Sequence, residues 1–282
     1  MNTIPCDVTA EPTYSANDYK SQIKPVWCPG CGDYSVLSAL TKALSELQLP
    51  PEQVALVSGI GCSSRLPAYT SLYGFHSIHG RALPVATGLK AARPDLTVLV
   101  AGGDGDGFSI GGNHFLHACR RNIDMTYIVM DNAVYGMTKG QASPTTAPDW
   151  TGSKLTPEGT GIEAIHPLEI ALSAGANFIA RTFAGQPNHV AQMICEGICA
   201  PGFSLIQVLS PCVTFRPEQR GYKEQVHQDW STPVTDRKEA FLRLLDDDGF
   251  ATGVLYRGNH RPFHPAPDDT LSIADLEKRF AL

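Results

Sequence analysis

Two kinds of hydrophobic pattern alternate along this chain. Short apolar runs rich in β-branched residues, such as LTVLVAGG at 96–103 and MTYIVM at 125–130, carry no charge and read as parallel strands buried on both faces. Similar runs at 54–58 (VALVS), 178–183 (FIARTF) and 203–210 (FSLIQVLS) read as strands of the same sheet. Between them the apolar positions recur with a helical period. Over 33–47 Val36, Leu37, Leu40, Ala43, Leu44 and Leu47 share one face, with Asp33 placed as N-cap, and over 188–199 Val190, Met193, Ile194 and Ile198 do the same. Further helices are expected over 85–92, 109–121 and 166–174. The alternation predicts an α/β fold built on a doubly wound, mostly parallel sheet.

The flanks break this pattern. Residues 1–24 are polar and contain proline, and read as an N-terminal arm lying on another surface, ahead of a domain at 25–212. From 213 to 282 the chain is expected to form an extended C-terminal extension packed on a partner, because it turns charged and Pro-rich after Arg216 and contains HRPFHPAP at 260–267. The Thr-, Pro- and Gly-rich stretch 142–161 is long enough to be a functional loop that covers a site.

Composition narrows the function. With 282 residues and 43% hydrophobic content the chain can bury one large α/β core. A net charge of -6 and the lack of any basic block speak against nucleic acid. No apolar run is long enough to cross a bilayer, and the start of the chain has no secretory pattern, so a cytoplasmic location is expected. In that reducing compartment the eight cysteines are expected to be metal ligands or buried apolar residues rather than a disulfide framework.

The candidate chemistry lies where strands end. Gly103-Asp104-Gly105-Asp106 follows the 96–103 run, at the carboxyl edge where doubly wound sheets bind ligands, and its small residues let main-chain N–H groups approach an anion. The next strand ends in Asp131-Asn132-Ala133-Val134-Tyr135-Gly136. Asp104 offers a carboxylate, Asn132 an amide oxygen and the following turn a backbone carbonyl, a ligand set suited to a Mg ion bridging phosphate oxygens. G-D-G after one strand and N-A-V-Y-G after the next resembles the diphosphate fingerprint of thiamine diphosphate enzymes. Cysteines form a second set of candidates. Cys28-Pro29-Gly30-Cys31 brings two thiols together as iron–sulfur, zinc and redox sites do, and the spacing does not choose among these. Cys62 and Cys212 each stand just past a strand, whereas Cys119, Cys195 and Cys199 read as buried residues.

The runs W-C-P-G-C-G-D-Y, G-I-G-C-S-S-R, H-S-I-H-G-R-A, G-D-G-D, R-R-N-I-D-M, Y-G-M-T-K-G-Q-A-S-P-T and S-P-C-V, in this order across 27–215, resemble the beta subunit of 2-oxoacid:ferredoxin oxidoreductases. The resemblance implies the diphosphate-binding half of a thiamine diphosphate site together with one 4Fe-4S cluster. It selects Cys28, Cys31, Cys62 and Cys212 as cluster ligands, with Cys6, Cys119, Cys195 and Cys199 left over, and Asp104, Asn132 and the Val134 carbonyl as Mg ligands. Contacts to thiamine diphosphate are implied for Ile60, Gly61, Cys62, Ser63, His79, Gly80, Gly103, Asp104, Gly105, Asp106, Asn132, Val134, Gly136, Met137 and Thr138. On His79 alone, a satisfied loop histidine is the competing reading.

The implied activity is oxidative decarboxylation of a 2-oxoacid, with the acyl group passing to coenzyme A and electrons passing through the cluster to ferredoxin. An alpha subunit must supply the half-site for the aminopyrimidine, so the chain alone is expected to be inactive. The C-S-S-R run is most like members acting on 2-oxoglutarate. Arg65 and Lys139 are the cations on this chain that could face its distal carboxylate, which is too costly to bury unpaired. The alternatives are the same chemistry on pyruvate or another 2-oxoacid, and a non-catalytic, zinc-stabilised phosphate-binding module.

Overall fold

The computed structural model describes residues 13–263 and Lys278. One eight-stranded sheet organises the chain: β1 (Val54–Ser58), β2 (Tyr73–His76), β3 (Thr97–Gly103), β4 (Met125–Asp131), β5 (Phe178–Phe183), β6 (Phe203–Leu209), β7 (His227–Trp230) and β8 (Ala251–Arg257), in the spatial order β2-β1-β3-β4-β6-β5-β8-β7. From β2 to β5 every neighbour is parallel. β8 runs antiparallel to β5, and β7 pairs parallel with β8.

The two-residue period of the strands divides their side chains between two apolar layers. Leu56, Leu99, Ala101, Ile128, Met130, Ile206 and Val208 face the layer holding α1 (Asp33–Glu46) and α6 (Pro187–Cys199). Ala55, Val57, Val98, Val100, Tyr127, Val129 and Leu205 face the other. That second layer is built by α2 (Ala82–Ala92), α4 (Gly112–Arg121), α5 (Pro167–Ala174) and α8 (Arg237–Leu245). Both faces are covered, which is why the central strands read as continuous apolar runs. Across α1 lies the described part of the N-terminal segment, where the hydroxyl of buried Tyr19 lies 3.0 and 2.8 Å from the Leu44 and Leu49 carbonyls.

Several expectations are corrected. Asp33 is the first helical residue of α1 rather than its cap, which is Gly32, and its buried carboxylate accepts from Ser210 Oγ at 2.9 Å. Burial raises the Asp33 pKa to about 6. Asp104 opens the short helix α3 (Asp104–Phe108), and α4 follows as a separate helix in place of one continuous helix over 109–121. Strand β2 went unforeseen because it is an exposed edge with no apolar run.

The largest correction concerns the C-terminal extension. After a 3-10 turn at Pro217–Gly221 and α7 (Tyr222–Gln225), β7, α8 and β8 add two strands to the sheet instead of leaving it as an extended tail. The reason lies in 251–256, ATGVLY, wholly buried between β5 and β7, whose apolar character the surrounding charged and Pro-rich sequence concealed. Residues 264–267 of the HRPFHPAP run, and Cys6, lie outside the described residues. Among the described residues, no helix is long and apolar enough to cross a membrane.

Candidate active site

Because β1, β3, β4 and β6 are parallel neighbours, their carboxyl ends meet at one edge of the sheet, and the loops that follow converge there. They enclose a cavity of about 530 Å³. Residues 60–63 after β1, His79 before α2, 103–106 at the β3–α3 junction, and Asn132, Val134 and 136–138 after β4 all line it. Of the residues expected to touch thiamine diphosphate, Gly80 alone is not in the wall. Met130, Tyr135, Gln141 and Ala142 also line the cavity and were missed. Tyr135 lies inside the N-A-V-Y-G run that pointed to the site, whereas nothing local marked the others.

Asp106 holds the upper wall together. Its Oδ1 accepts the Ile60 N–H at 2.9 Å and the Gly80 N–H at 2.7 Å, and lies 3.1 Å from His79 Nδ1. Burial raises the Asp106 pKa, opposed by those two main-chain donors. Gly59 must be glycine here, because a Cβ would sit 1.9 Å from Asp106 Oδ2. His79 therefore has a partner at the cavity wall, which joins the two readings of it.

Asp104, 2% exposed, accepts from Ser143 Oγ in a short hydrogen bond and from Thr145 Oγ1 at 2.9 Å. The same Thr145 hydroxyl lies 2.8 Å from Asp131 Oδ1. Behind it Asp131 Oδ2 accepts from Gln207 Nε2 at 2.8 Å, Gln207 Oε1 accepts from Arg181 Nε at 2.9 Å, and Arg181 pairs with Asp247 at 2.7 Å. Burial first, and then the neighbouring Asp131 charge, push the Asp104 pKa up. The two carboxylates share one hydroxyl and repel each other, and a bound cation, like a shared proton, relieves that repulsion. Asn132 Oδ1 accepts the Val134 N–H at 3.1 Å and folds the turn, so that Asp104, Asn132 and Val134 stand on one cavity wall. A carboxylate short of positive charge, beside an amide and a carbonyl, fits a Mg ion. Ser143 and Thr145 come from the long 142–161 stretch, which thus touches the site it was expected to cover.

The cysteines gather behind the same loop. A Cβ on Gly136 would lie 3.6 Å from Cys212 Sγ and 3.9 Å from Cys62 Sγ. Electrostatically, Cys31 feels Cys62 and Cys212, and Cys62 feels Cys212 and Cys28, so the four thiols form one neighbourhood. Burial, and then the Asp33 charge, raise the Cys31 pKa strongly and that of Cys62 to about 11, so the free side chains are thiols. Bound metal reverses that preference by deprotonating the thiol it coordinates. Among the described residues no group of three or more His, Cys, Asp or Glu side chains converges as a single-ion site. Cys119 is buried, and Cys195 is half-buried beside Glu46 at 3.5 Å. Cys199, expected as a buried thiol, is disulfide-bonded.

The two cations proposed for the substrate stand apart from the cavity. Arg65 is exposed and donates Nε to Tyr69 Oη at 3.0 Å, and Lys139 is exposed in a left-handed turn at φ 78°.

Residues 59–208 match the family model described as the thiamine pyrophosphate enzyme, C-terminal TPP binding domain. A 2-oxoacid:ferredoxin oxidoreductase beta subunit of Aeropyrum pernix is 44% identical over 254 residues, 85% of this chain and 82% of that one. The 2-oxoglutarate synthase subunit KorB of Methanocaldococcus jannaschii is 44% identical over 70% of this chain and 72% of its own length. Among solved structures, the 2-oxoglutarate:ferredoxin oxidoreductase from Magnetococcus marinus, with 2-oxoglutarate, coenzyme A and succinyl-CoA bound, superposes with a TM-score of 0.84 at 40% identity, over 95% of this chain and 91% of that one. With a thiamine diphosphate-binding fold and a relative matched over four-fifths of both lengths, this chain belongs to the beta subunits of the thiamine diphosphate-dependent 2-oxoacid:ferredoxin oxidoreductases.

Proposed function

We propose that this beta subunit, with its alpha partner, oxidises 2-oxoglutarate and coenzyme A to succinyl-CoA and CO2, and passes two electrons one at a time through a 4Fe-4S cluster to ferredoxin. The observation that carries this reading is the position of Gly136. It lines the cofactor cavity, a Cβ built on it would lie 3.6 Å from Cys212 Sγ and 3.9 Å from Cys62 Sγ, and Cys62 itself lines the cavity, so the cysteine group abuts the cavity wall. Electrons released at one site need only cross that wall.

Each group on this chain has a task in the reading. Asp104, Asn132 and the Val134 carbonyl hold Mg and through it the diphosphate. Asp106 fixes the 59–60 and 79–80 segments that bound the cavity, and Ser143 and Thr145 orient the Asp104 carboxylate. Cys28, Cys31, Cys62 and Cys212 bind the cluster. Thiamine diphosphate, when bound, supplies the electron sink that makes loss of CO2 feasible. The alpha subunit completes the site from the open side, and the resulting assembly works in the reducing cytoplasm.

2-Oxoglutarate is favoured over pyruvate because relatives named for it share 44% identity and the superposed Magnetococcus enzyme holds it. Its distal carboxylate needs a cation. Arg65 is separated from the cavity residue Cys62 by two residues and forms no ion pair among the described residues, and with its Nε engaged by Tyr69 Oη its two terminal nitrogens are the ones that would meet a carboxylate. The test is to purify the two-subunit complex anaerobically, record its spectrum, and follow ferredoxin reduction with 2-oxoglutarate, coenzyme A and thiamine diphosphate. Brown protein with broad absorption and a rate requiring all three is the expected result. A colourless protein with stoichiometric zinc would establish the non-catalytic module instead.

A further inference from the structure

β4 and β6 lie side by side in register up to Asp131 and Leu209, and their ladder closes with the Ser210 N–H donating to the Asp131 carbonyl at 2.8 Å. Beyond that rung the strands part, yet the two loops that leave them carry Asn132 and Cys212. A continued parallel ladder would give the Cys212 N–H to the Ala133 carbonyl. That carbonyl is taken instead by Arg216 Nη1 at 2.8 Å and by Thr146 Oγ1 at 2.7 Å. The Cys212 N–H goes to Gln219 Oε1 at 2.8 Å, and Gln219 Nε2 donates to the Asn132 carbonyl at 2.6 Å. Gln219, in the 3-10 turn after β6, is 1% exposed. Its amide replaces the missing rung with a side chain.

We propose that Gln219 is a positioning residue that couples the two redox halves of the site, holding the Cys212 loop and the Asn132 loop in one geometry and keeping the Cys212 N–H directed away from the cluster. The inference rests on Cys212 and Asn132 being the ligands described above. A primary amide presents a donor and an acceptor on one planar group, which a backbone N–H on one side and a backbone carbonyl on the other require. Hydrogen bonds to cluster and cysteine sulfurs stabilise the more negative, reduced form and so raise the potential. Capture of the Cys212 N–H by Gln219 withholds one such donor.

The test uses the assembled two-subunit enzyme and two variants. Gln219→Met removes both bonds at similar volume. Gln219→Glu, studied at alkaline pH, keeps an acceptor for the Cys212 N–H and loses the donor to Asn132. In Gln219→Met the dissociation constant of thiamine diphosphate with Mg should rise about tenfold, from two lost bonds, and the cluster midpoint potential should move to a more positive value. In Gln219→Glu the affinity should fall while the potential shows no positive shift, because the Cys212 N–H keeps its acceptor and the added carboxylate disfavours the more negative, reduced cluster. A folded Gln219→Met enzyme with unchanged affinity and potential overturns the coupling, and so does a potential that moves equally in both variants. Should Gln219→Met fail to assemble, Gln219→Glu decides: weaker cofactor binding without a positive shift of potential supports the role, and unchanged binding overturns it. A wild-type complex lacking iron or thiamine diphosphate would instead remove the functional reading beneath it.

Discussion

Gly80 donates its main-chain N–H to Asp106 Oδ1 at 2.7 Å, across 26 residues of sequence, on the same carboxylate oxygen that receives the Ile60 N–H. One buried oxygen therefore ties two loops that bound the cofactor cavity. Asp106→Ala leaves both donors without their acceptor, at about 1 to 3 kcal/mol for each buried group. Denaturant unfolding of this variant should show a loss of that order, and thiamine diphosphate titration a weaker complex. Asp106→Asn keeps an acceptor oxygen and should lose less. An Asp106→Ala protein as stable as wild type would remove the role.

Asp104→Ala should abolish binding of thiamine diphosphate and turnover while leaving the cluster spectrum intact. The carboxylate lies with Asn132 and Val134 on the cavity wall, and three of the four cysteines, Cys28, Cys31 and Cys212, do not line the cavity. A calorimetric titration that returned wild-type affinity would contradict the Mg assignment.

Iron analysis separates ligand cysteines from the rest. The complex should hold about four irons for each beta chain and no stoichiometric zinc. Cys62→Ser or Cys212→Ser should lower the occupancy and Cys195→Ser should not, because Cys195 lies on α6 beside Glu46 and does not line the cavity. Equal iron loss in all three variants would sink the assignment.

Substrate choice is tested at Arg65. Loss of a charge-assisted hydrogen bond costs roughly 1.5 to 3 kcal/mol, so Arg65→Met should lower kcat/KM for 2-oxoglutarate at least about tenfold and change that for pyruvate little. A wild-type preference for pyruvate, or an equal loss for both acids, would reassign the residue.

A pH effect follows from His189, whose Nδ1 lies 2.7 Å from Thr182 Oγ1. Burial lowers its pKa below the ordinary 6.5, with the Glu196 charge opposing. The unfolded chain then binds a proton at a pH where the folded one does not, so stability is full above about 6.5 and declines as pH falls from there through the lowered folded value. His189→Gln should flatten this part of the stability profile in urea unfolding between neutral and mildly acidic pH. An unchanged slope would show that another group carries it.

Much of this architecture was legible without coordinates. The strands of the parallel core announce themselves as apolar runs because both of their faces are covered, and helices α1 and α6 through their period, since each pattern is a local consequence of backbone geometry. The Gly-Asp-Gly-Asp and Asn-Ala-Val-Tyr-Gly runs stood out for the same reason: each follows directly on a strand. Edge strand β2 and the buried β8 were hidden, one by exposure on the rim and the other by its charged surroundings.

Contacts between distant segments belonged to the tertiary structure alone. That Asp106 would reach back to Gly80 and Ile60, that Ser143 and Thr145 would return to Asp104, and that Gln219 would span Cys212 and Asn132 depends on which loops the sheet order brings together. Side-chain identity states what a residue can donate or accept, and strand periodicity states which face it occupies. Which donor meets which acceptor is settled by the crossovers that set β1, β3, β4 and β6 side by side, and these arise from burying two apolar layers at once rather than from any local run of sequence.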